Sequence, residues 1–339
     1  MNICFVINSW EDMDPQYETT LTLIHEACKR NHRVCIFAPG NLTIRDNITY
    51  AYCRIIEKNK VSESIPNFFK NVKFKKQRLP VKGFDVIFLR NNPPVDNTMM
   101  NFLDSVKDDT IIINDIDGLR KGSNKIYATS FEDAHNFMPE TYVSKDIDYL
   151  ESVISECKAD KMILKPLDGF GGRGVIVLET HAKANIRSLL EFYIGERDKN
   201  YVILQEYIAG AEKGDVRVLM LNGGPLGAMR RVPREGDNRS NVHAGGTAEK
   251  YVLNKQEREL CHFVGQKLVL DGIYFAGLDI IEGKLLEVNV LSPGGIPRIN
   301  KFNKVKLQRK VIDFVELAHK KRDDAIARKI SFRKAIEDA

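Results

Sequence analysis

The sequence has no apolar run that approaches the ~18–20 residues of a membrane-spanning helix. Residues 1–7 lack the basic region and the long apolar region of a signal peptide, and we interpret them as a first β-strand. These two absences argue against a membrane protein and predict a cytoplasmic one. Hydrophobic residues make up 43% of the 339 residues, enough for a sizeable core. At about 100–200 residues per domain, the length predicts two or three domains.

Cysteine is scarce, and its six occurrences form no Cys-x-x-Cys pair and no Cys/His cluster with zinc-ligand spacing. We therefore expect reduced thiols rather than a disulfide framework. The net charge of +5 is modest and does not indicate a nucleic-acid partner. Basic residues gather at 70–78 and 301–333, which we interpret as a solvated loop and solvated helix faces. The alternative is a weakly anion-attracting surface, which would suit an enzyme with anionic substrates.

Apolar runs alternate with a helical pattern in the first 120 residues. We predict strands at 3–8, 33–38, 86–89 and 111–113, and a helix at 19–30. This alternation is typical of a parallel α/β sheet, in which ligands bind beyond the carboxyl ends of the strands. Polar residues follow two of those ends, at Asn8-Ser9 and at Arg90-Asn91-Asn92.

Beyond residue 160 the pattern predicts a mixed α+β region. We expect strands at 161–165, 174–179 and 201–205, a helix at 182–194, and extended segments at 217–221 and 227–232. Residues 234–246 form a long polar segment, and loops of that length are usually functional or disordered. A helix at 255–270, a hairpin at 275–290 and a mostly helical C-terminal part follow. No internal repeat or low-complexity segment is present.

Three polar side chains in the predicted hairpin suggest a metal site. Gly283 closes the turn, and strand alternation places Glu287 and Asn289 on one face, where Asp279 of the partner strand can meet them. Two carboxylates and an amide oxygen suit Mg²⁺, whose other ligands are phosphate oxygens and water. The alternative is an ordinary hairpin with polar residues facing outward, but Asp279 and Glu287 lie among Leu, Ile and Val.

A lysine and a glycine-rich segment suggest a phosphate site. Lys165 ends a predicted strand, and residues 166–174 contain four glycines. Glycines let backbone N–H groups approach phosphate oxygens, and a lysine neutralises phosphate charge. The alternative is a plain tight turn. The spacing fits neither a Walker A loop nor a dinucleotide-binding fingerprint.

The order of these features along the chain resembles the ATP-grasp fold and, within it, the bacterial glutathione synthetase family. The matching strings are residues 163–172, 214–219, 231–233, 239–241, 244–246, 277–281, 287–289 and 292–293. The resemblance covers about residues 1–318 and is strongest between 161 and 293. It implies an α/β protein in which an N-terminal parallel-sheet, Rossmann-like pre-ATP-grasp domain precedes a two-lobed α+β ATP-grasp module. The implied segments are a substrate-binding domain at 1–120, a lid subdomain at 121–203, a C-terminal subdomain with the metal site at 204–320, and a charged helical extension at 321–339.

The resemblance also implies a role for each matching residue. Lys125 and Lys165 would contact the ATP phosphates, and the segment over the nucleotide would include Gly169, Gly171, Gly172 and Gly174. Adenine would lie against Gln205, Glu206, Tyr207 and Ile208, and Asp215 would contact ribose. Lys165 and Arg231 are the implied catalytic residues, and Asp279, Glu287 and Asn289 the implied metal ligands. The residues implied to contact the substrates are Arg90, Arg217, Arg239, Asn241, Gly245, Gly246, Ser292 and Pro293.

Several of these residues have plainer alternatives. Asp215 and Arg217 could form an ion pair with each other, and Lys125 could be a solvated helix residue. Arg231 could lie on a surface strand beside Arg230, and Tyr207 could serve packing. The segment around Arg239 could be a simple connector.

The resemblance implies an ATP-dependent carboxylate–amine ligase that works through an acyl phosphate. Its implied requirements are ATP and Mg²⁺, with Mn²⁺ as a possible substitute. Its partners would be a dipeptide or amino-acid carboxylate and an amine such as glycine, with no nucleic acid and no membrane, in a homo-oligomer. In the family reaction the donor is γ-glutamylcysteine, the acceptor is glycine, and the product is glutathione.

The chain departs from the family pattern at two places. Asn91-Asn92 stand where the family has Lys-Asp, and residues 291–295 replace Thr-Ser-Pro-Thr. A related ATP-grasp peptide or amino-acid ligase with another donor or acceptor is therefore the alternative function. A non-catalytic ATP-binding regulator would require a broken metal site.

Overall fold

A computed structural model describes residues 1–57, 61–94, 96–167, 172–195, 200–234 and 245–337, excluding the side chains of residues 183, 184 and 325–337. The chain divides into two compact units. One comprises Met1–Asn92, Asp96–Ile116 and Gly294–Ala339, and the other comprises Pro93–Val95 and Asp117–Pro293. The residues after Pro293 thus belong to the same unit as the N-terminal residues. The resemblance instead implied four consecutive segments, of which the third, 204–320, is divided between the two units.

The helices and strands are numbered in chain order. The helices are α1 (Thr19–Lys29), α2 (Ile65–Asn71), α3 (Asn97–Asp104), α4 (Ile116–Gly122), α5 (Ala134–Phe137), α6 (Ile147–Glu156), α7 (Lys183–Ile194), α8 (Lys255–Leu270), α9 (Ile296–Asn303) and α10 (Leu307–Glu337). The strands are β1 (Asn2–Val6), β2 (Arg33–Phe37), β3 (Leu42–Arg45), β4 (Ile48–Ile56), β5 (Phe74–Pro80), β6 (Val86–Leu89), β7 (Ile111–Ile113), β8 (Thr141–Ser144), β9 (Lys161–Pro166), β10 (Ile176–Glu179), β11 (Val202–Glu206), β12 (Asp215–Leu221), β13 (Gly224–Val232), β14 (Thr247–Lys250), β15 (Phe275–Ile281) and β16 (Lys284–Asn289). Within the described part of the chain, no helix has both the length and the apolar character needed to cross a membrane.

The first unit is built on a seven-stranded mixed sheet. Strands β2, β1, β6 and β7 lie side by side and run parallel, which confirms the predicted parallel sheet. Their side chains are largely buried, because a parallel sheet is normally covered on both faces and its strands are apolar throughout. Strands β3, β4 and β5 extend this sheet in antiparallel fashion and were not predicted.

Strand β5 corrects the interpretation of residues 70–78 as a solvated loop. It pairs with β4 along its whole length, and most of its side chains are exposed. An edge strand is paired on one side only, and charged side chains on it discourage pairing with another chain. The charge pattern was therefore compatible with a strand as well as a loop.

Helix α10 packs in the first unit through a group of charged side chains on α1 and the following turn. Arg30 Nη1 donates to Asp313 Oδ1 at 2.6 Å and to Glu316 Oε2 at 2.9 Å. His32 Nε2 lies 2.8 Å from Glu316 Oε1. These ion pairs join α10 to the turn after α1 within the first unit.

The second unit contains two antiparallel sheets. The four-stranded sheet has the order β10-β9-β11-β8, and the five-stranded sheet has the order β14-β13-β12-β15-β16. Helices α6 and α7 bury Leu150, Ile154, Leu190 and Ile194 in the core of the four-stranded sheet. Helix α6 and strand β8 were not predicted, although Asp146 caps the helix by accepting a hydrogen bond from the Tyr149 N–H at 3.0 Å.

Gly214 immediately precedes β12 and gives a stability prediction. Its φ is +96°, and a Cβ there would lie 1.9 Å from the carbonyl oxygen of Arg231. We expect Gly214→Ala to lower the free energy of unfolding by about 1–3 kcal/mol or more, because both the backbone conformation and the close approach exclude a side chain. Gly224→Ala is the matched control in the same hairpin, since its Cβ would meet its nearest atom at 3.8 Å. Urea unfolding of both variants checks this, and equal midpoints would contradict it.

Candidate active site

A row of five charged side chains crosses four strands of the five-stranded sheet. Asp215 on β12 lies opposite Arg231 on β13, and Arg217 on β12 lies opposite Asp279 on β15. Asp279 in turn lies opposite Glu287 on β16. Because directly opposed residues of antiparallel strands project from the same face, these side chains share one face of the sheet. The register thus brings together residues up to 72 positions apart in the sequence, from Asp215 to Glu287.

The arginines and aspartates of this row form two buried ion pairs. Arg231 Nε and Nη2 donate to the two oxygens of Asp215 at 2.7 and 2.5 Å. Arg217 Nε and Nη2 donate to the two oxygens of Asp279 at 2.6 and 3.0 Å. The alternative pairing of Asp215 with Arg217 is therefore wrong, because each residue pairs across the sheet rather than along its own strand. Arg231 is also buried, so it is not a surface strand residue.

The carboxylates of Asp279 and Glu287 differ in electrostatic environment. Burial alone would raise the pKa of Asp279, but Arg217 and Arg231 outweigh it and hold that pKa at about 2. Burial and then the negative charge of Asp279 raise the pKa of Glu287. Two carboxylates directly opposite each other repel, and a bound cation would relieve that repulsion.

The oxygen atoms around Glu287 fit a hard metal ion. The side-chain carboxylate of Glu287 accepts no hydrogen bond from another described side chain, and Asn289 lies opposite Gly277 on the same face of the hairpin. Asn289 Nδ2 donates to Asp279 Oδ2 at 3.1 Å, which leaves its carbonyl oxygen available as a ligand. Carboxylate and amide oxygens are the ligands that Mg²⁺ prefers. Among the described residues, no group of three His, Cys, Asp or Glu side chains could hold a metal, so a metal ion at this hairpin would need the amide oxygen of Asn289 as its third ligand.

The two predicted phosphate-binding lysines lie in the same unit as the row of charges. Lys165 Nζ donates to Gln205 Oε1 at 2.9 Å, and Lys125 Nζ donates to the Pro166 carbonyl oxygen at 2.7 Å. Lys125 therefore contacts the start of the glycine-rich segment and is not a solvated helix residue. The pKa of Lys165 is lowered to about 8, mainly by burial and also by the charge of Lys125, whereas the charges of Glu287 and Asp279 oppose this shift.

The predicted adenine-contacting residues lie at and after the end of β11. Gln205 is buried, and its Nε2 donates a hydrogen bond to Thr141 Oγ1 at 2.7 Å. Thr141 therefore orients the Gln205 amide, whose oxygen accepts the hydrogen bond from Lys165. The Glu206 backbone N–H donates to the Glu140 carbonyl at 2.8 Å. Tyr207 and Ile208 are half-buried, and the Lys161 ammonium lies 5.8 Å from the Tyr207 ring centroid.

The predicted loop residues are only partly described. Gly169, Gly171, Arg239 and Asn241 lie outside the described residues. Gly172 and Gly174 have left-handed backbones, with φ of 76° and 71°, which glycine adopts readily. Gly245 is exposed, Gly246 is buried, and Ser292 and Pro293 follow closely on β16.

Arg90 lies in the first unit, directly after β6. It is 3% exposed, and its Nε donates to Thr20 Oγ1 at 3.1 Å. Burial lowers its pKa to about 10, and the charge of Glu18 opposes this shift. The Asn92 backbone N–H donates to Asn8 Oδ1 at 2.6 Å, so the polar residues that follow β1 and β6 meet as the strand-end rule predicts.

Asp271 is a positioning residue that the sequence did not reveal. Its carboxylate accepts hydrogen bonds from Lys121 Nζ at 2.5 Å, Lys267 Nζ at 2.6 Å and Tyr127 Oη at 2.7 Å. Lys121 and Tyr127 flank Lys125 in the sequence, so these bonds fix the segment that carries Lys125 to the end of α8. Nothing in the local pattern identified Asp271, because its partners lie up to 150 residues away.

Family models match nearly the whole chain. The prokaryotic glutathione synthetase N-terminal domain matches residues 1–120, and the prokaryotic glutathione synthetase ATP-grasp domain matches residues 124–304. The glutathione synthetase of Agrobacterium fabrum is 35% identical over 309 residues, 90% of this chain and 92% of its own length. That of Mesorhizobium japonicum is 34% identical over 302 residues, 88% of this chain and 93% of its own length.

Solved structures with low sequence identity share the fold. The D-cycloserine synthetase DcsG superposes with a TM-score of 0.62 at 12% identity, covering 92% of this chain and 99% of DcsG. The ATP-grasp ligase PsnB, complexed with its minimal precursor, gives 0.59 at 16% identity, covering 93% of this chain and 98% of PsnB.

The fold and the matches define an ATP-grasp enzyme, an ATP-dependent ligase that forms C–N bonds. Within that class, the chain belongs to the prokaryotic glutathione synthetase family.

Proposed function

We propose that this enzyme converts a carboxylate into an acyl phosphate and then into an amide, with γ-glutamylcysteine as donor and glycine as acceptor. Glutathione, ADP and phosphate would be the products. The single observation that supports this most is the row of charges around Asp279 and Glu287 beside Lys165, in a chain of this family. It offers oxygen ligands, phosphate-binding cations and an arginine in one unit.

The first step would transfer the γ-phosphoryl group of ATP to the donor carboxylate. A carboxylate and an amine at neutral pH form a salt rather than an amide, so the carboxylate must be activated. Lys125 and Lys165 would reduce the repulsion between the anionic carboxylate and the triphosphate. Asp279, Glu287 and Asn289 would hold Mg²⁺, or Mn²⁺ in its place, which when bound supplies further charge neutralisation.

In the second step the acceptor amine would attack the acyl carbon, and phosphate would leave. Arg231 would stabilise the negative charge that develops on the acyl oxygen. Its guanidinium is already oriented by the two hydrogen bonds to Asp215, so little reorganisation is needed. Asp215 therefore has a positioning role that the predicted ribose contact did not include. Acyl phosphates hydrolyse, and the segments at 166–173 and 234–246 are proposed to exclude water.

Substrate contacts by Arg90, Arg217, Arg239, Asn241, Gly245, Gly246, Ser292 and Pro293 are proposed from the resemblance. The bidentate bond of Arg217 to Asp279 favours a role in holding the metal ligand over direct substrate contact. Also from the resemblance, we propose a cytoplasmic homo-oligomer, whose size light scattering would measure.

A related ligase with another donor or acceptor is the second candidate. It is favoured by Asn91-Asn92 and by residues 291–295, which differ from the family pattern. A panel of donor and acceptor pairs, assayed for phosphate release with mass spectrometry of the product, separates the two. Phosphate release with γ-glutamylcysteine and glycine supports the first candidate, whereas release only with another pair supports the second. Release with no pair would indicate a non-catalytic protein.

The pKa of Lys165 predicts how ATP binding depends on pH. Because burial lowers this pKa from 10.5 to about 8, the ammonium loses its proton in the free protein as the pH rises through 8. A neutral amine binds phosphate poorly, so the Kd for a non-hydrolysable ATP analogue should be constant below pH 8 and rise by up to about tenfold per pH unit above it. Lys165→Arg keeps its charge over this range and should remove the rise. An equal rise in the variant would assign the titration to another group.

A further inference from the structure

The carboxylate of Asp279 is surrounded by four hydrogen-bond donor atoms. Oδ1 lies 2.6 Å from Arg217 Nε and 3.0 Å from Arg231 Nη2. Oδ2 accepts from Arg217 Nη2 at 3.0 Å and from Asn289 Nδ2 at 3.1 Å. A carboxylate has about four lone-pair positions in all, so a metal ion can bind Asp279 fully only if a donor withdraws.

The carboxylate of Glu287 differs from that of Asp279 in its lack of described hydrogen-bond donors. Glu287 lies directly across the hairpin from Asp279, and its carboxylate accepts no hydrogen bond from another described side chain. The carbonyl oxygen of Asn289 likewise has no described hydrogen-bond partner, because only its Nδ2 is bonded. In the protein without substrates, the available metal ligands are therefore Glu287 and Asn289, while Asp279 is occupied by arginines.

Of the two arginines that contact Asp279, Arg231 is the better suited to leave it. Its Nη2 is shared between Asp279 Oδ1 at 3.0 Å and Asp215 Oδ2 at 2.5 Å, and its Nε is held by Asp215. Leaving Asp279 would therefore keep its bidentate pair with Asp215. Arg217, by contrast, has its own bidentate pair with Asp279 and would lose both bonds. A side chain in place of Gly277 would lie 3.2 Å from Arg217 Nη1, so this glycine makes room for the Arg217 guanidinium.

We propose that Arg231 exchanges between Asp279 and the anionic group of the substrate, and that this exchange completes the metal site. While Arg231 contacts Asp279, the metal binds weakly through Glu287 and Asn289. When a phosphoryl or acyl oxygen accepts the hydrogen bond of Arg231 in place of Asp279, a lone pair of Asp279 becomes available to the metal. The exchange rests on the proposed function, since it presupposes the metal ligands assigned above. It makes Arg231 a regulator of metal affinity in addition to a catalytic residue.

The test measures Mn²⁺ binding to the full-length protein without nucleotide, by electron paramagnetic resonance of free Mn²⁺. Arg231→Lys keeps the positive charge but replaces the planar fork by a single ammonium, which cannot hold Asp215 and Asp279 in the same way. We expect this variant to bind Mn²⁺ about tenfold more tightly than the unchanged protein, because a hydrogen bond to Asp279 is removed without a change in net charge.

Arg230→Lys is the matched control. Arg230 is the neighbouring residue on β13, and its guanidinium lies 4.7 Å from the ring centroid of Tyr251. Its side chain projects from the opposite face of the strand, so Mn²⁺ affinity should stay within about twofold of the unchanged protein. Arg217→Lys is a second variant that also removes a donor from Asp279 at constant charge. It should tighten Mn²⁺ binding as well, because donors to Asp279 keep its lone pairs from the metal. If Arg231→Lys does not fold, unchanged Mn²⁺ affinity in Arg217→Lys would overturn that premise and with it the exchange.

Glu287→Gln separates failure of the exchange from failure of the proposed function. If this variant loses Mn²⁺ binding while neither lysine variant gains it, the metal ligands stand and the exchange is wrong. If Glu287→Gln binds Mn²⁺ as well as the unchanged protein, or if no protein in the series binds it, the metal assignment and the exchange both fail. Tighter binding by the lysine variants, lost again when Glu287→Gln is added, supports the exchange.

Discussion

Replacing Glu287 by glutamine is expected to lower kcat by about a thousandfold or more. The glutamine side chain has the same size but no charge, so it would hold Mg²⁺ poorly where two anionic groups must approach each other. Glu282→Gln is the matched control, because Glu282 lies in the exposed turn of the same hairpin. Steady-state phosphate release with each variant checks the expectation, and unchanged turnover in Glu287→Gln would refute the metal assignment.

The same substitution should not weaken the fold. The pKa of Glu287 is raised in the folded protein by burial and by Asp279, so ionising this carboxyl costs more in the folded protein than in the unfolded chain. A group with a raised folded pKa contributes stability that is present below its unfolded pKa and is lost as the pH rises through its folded pKa, so the ionised form does not stabilise the fold. The free energy of unfolding of Glu287→Gln at pH 7 should therefore equal or exceed that of the unchanged protein. A large loss of stability would mean that the fall in turnover has a structural cause.

Replacing Arg231 by methionine should produce the second large effect. The loss of one preorganised cation at the developing oxyanion is expected to lower kcat by about a hundredfold to a thousandfold. Because Asp215 loses both of its hydrogen bonds from Arg231, the free energy of unfolding should also fall by about 3–5 kcal/mol. Urea unfolding and steady-state kinetics on one preparation measure the two losses together.

The double variant Asp215→Leu with Arg231→Met separates stability from chemistry. An apolar pair of similar size removes the uncompensated charge of Asp215, so part of the lost stability should return. Turnover should stay low, because no cation is restored at the oxyanion. Recovery of turnover together with stability would show that Arg231 acts only through the fold.

The parts of the fold that follow from local pattern were predictable. The apolar runs of β1, β6 and β7 predicted the parallel strands. The alternation around Gly283 predicted the hairpin. Glu282 and Gly283 both have positive φ, as a two-residue hairpin turn requires. Strands β3 and β5 were missed because their exposed edge positions do not alternate clearly. Strand β4 lies inside the sheet and its buried positions alternate from Thr49 to Ile55, so the local pattern could have predicted it.

The pairing of charges depended on register, which sequence spacing does not determine. Asp215 and Arg217 are two residues apart and were considered as partners, yet each pairs with a residue on a neighbouring strand. The interactions of Lys125 with Pro166 and of Lys165 with Gln205 span 41 and 40 residues. Both contacts involve β9, and they become visible only when the strands of the four-stranded sheet are placed side by side.

The donor and acceptor are less closely tied to the structure than the chemistry. The residues around Asp279 lie on rigid strands, whereas Asn91-Asn92 and residues 291–295 follow strand ends and differ from the family pattern. Side chains that follow strand ends usually select the substrate, while a preorganised row of charges determines the reaction. We therefore expect variants at Asn91 and Asn92 to change KM for the donor more than kcat.

The acyl phosphate is the central claim, and oxygen transfer tests it most directly. The donor that supports phosphate release is labelled with ¹⁸O in the reacting carboxylate, and the inorganic phosphate is analysed by mass spectrometry. Attack of the carboxylate on the γ-phosphorus and later departure of phosphate must carry one carboxylate oxygen into the phosphate. One ¹⁸O per phosphate is the predicted result, and phosphate without ¹⁸O would contradict an acyl phosphate intermediate.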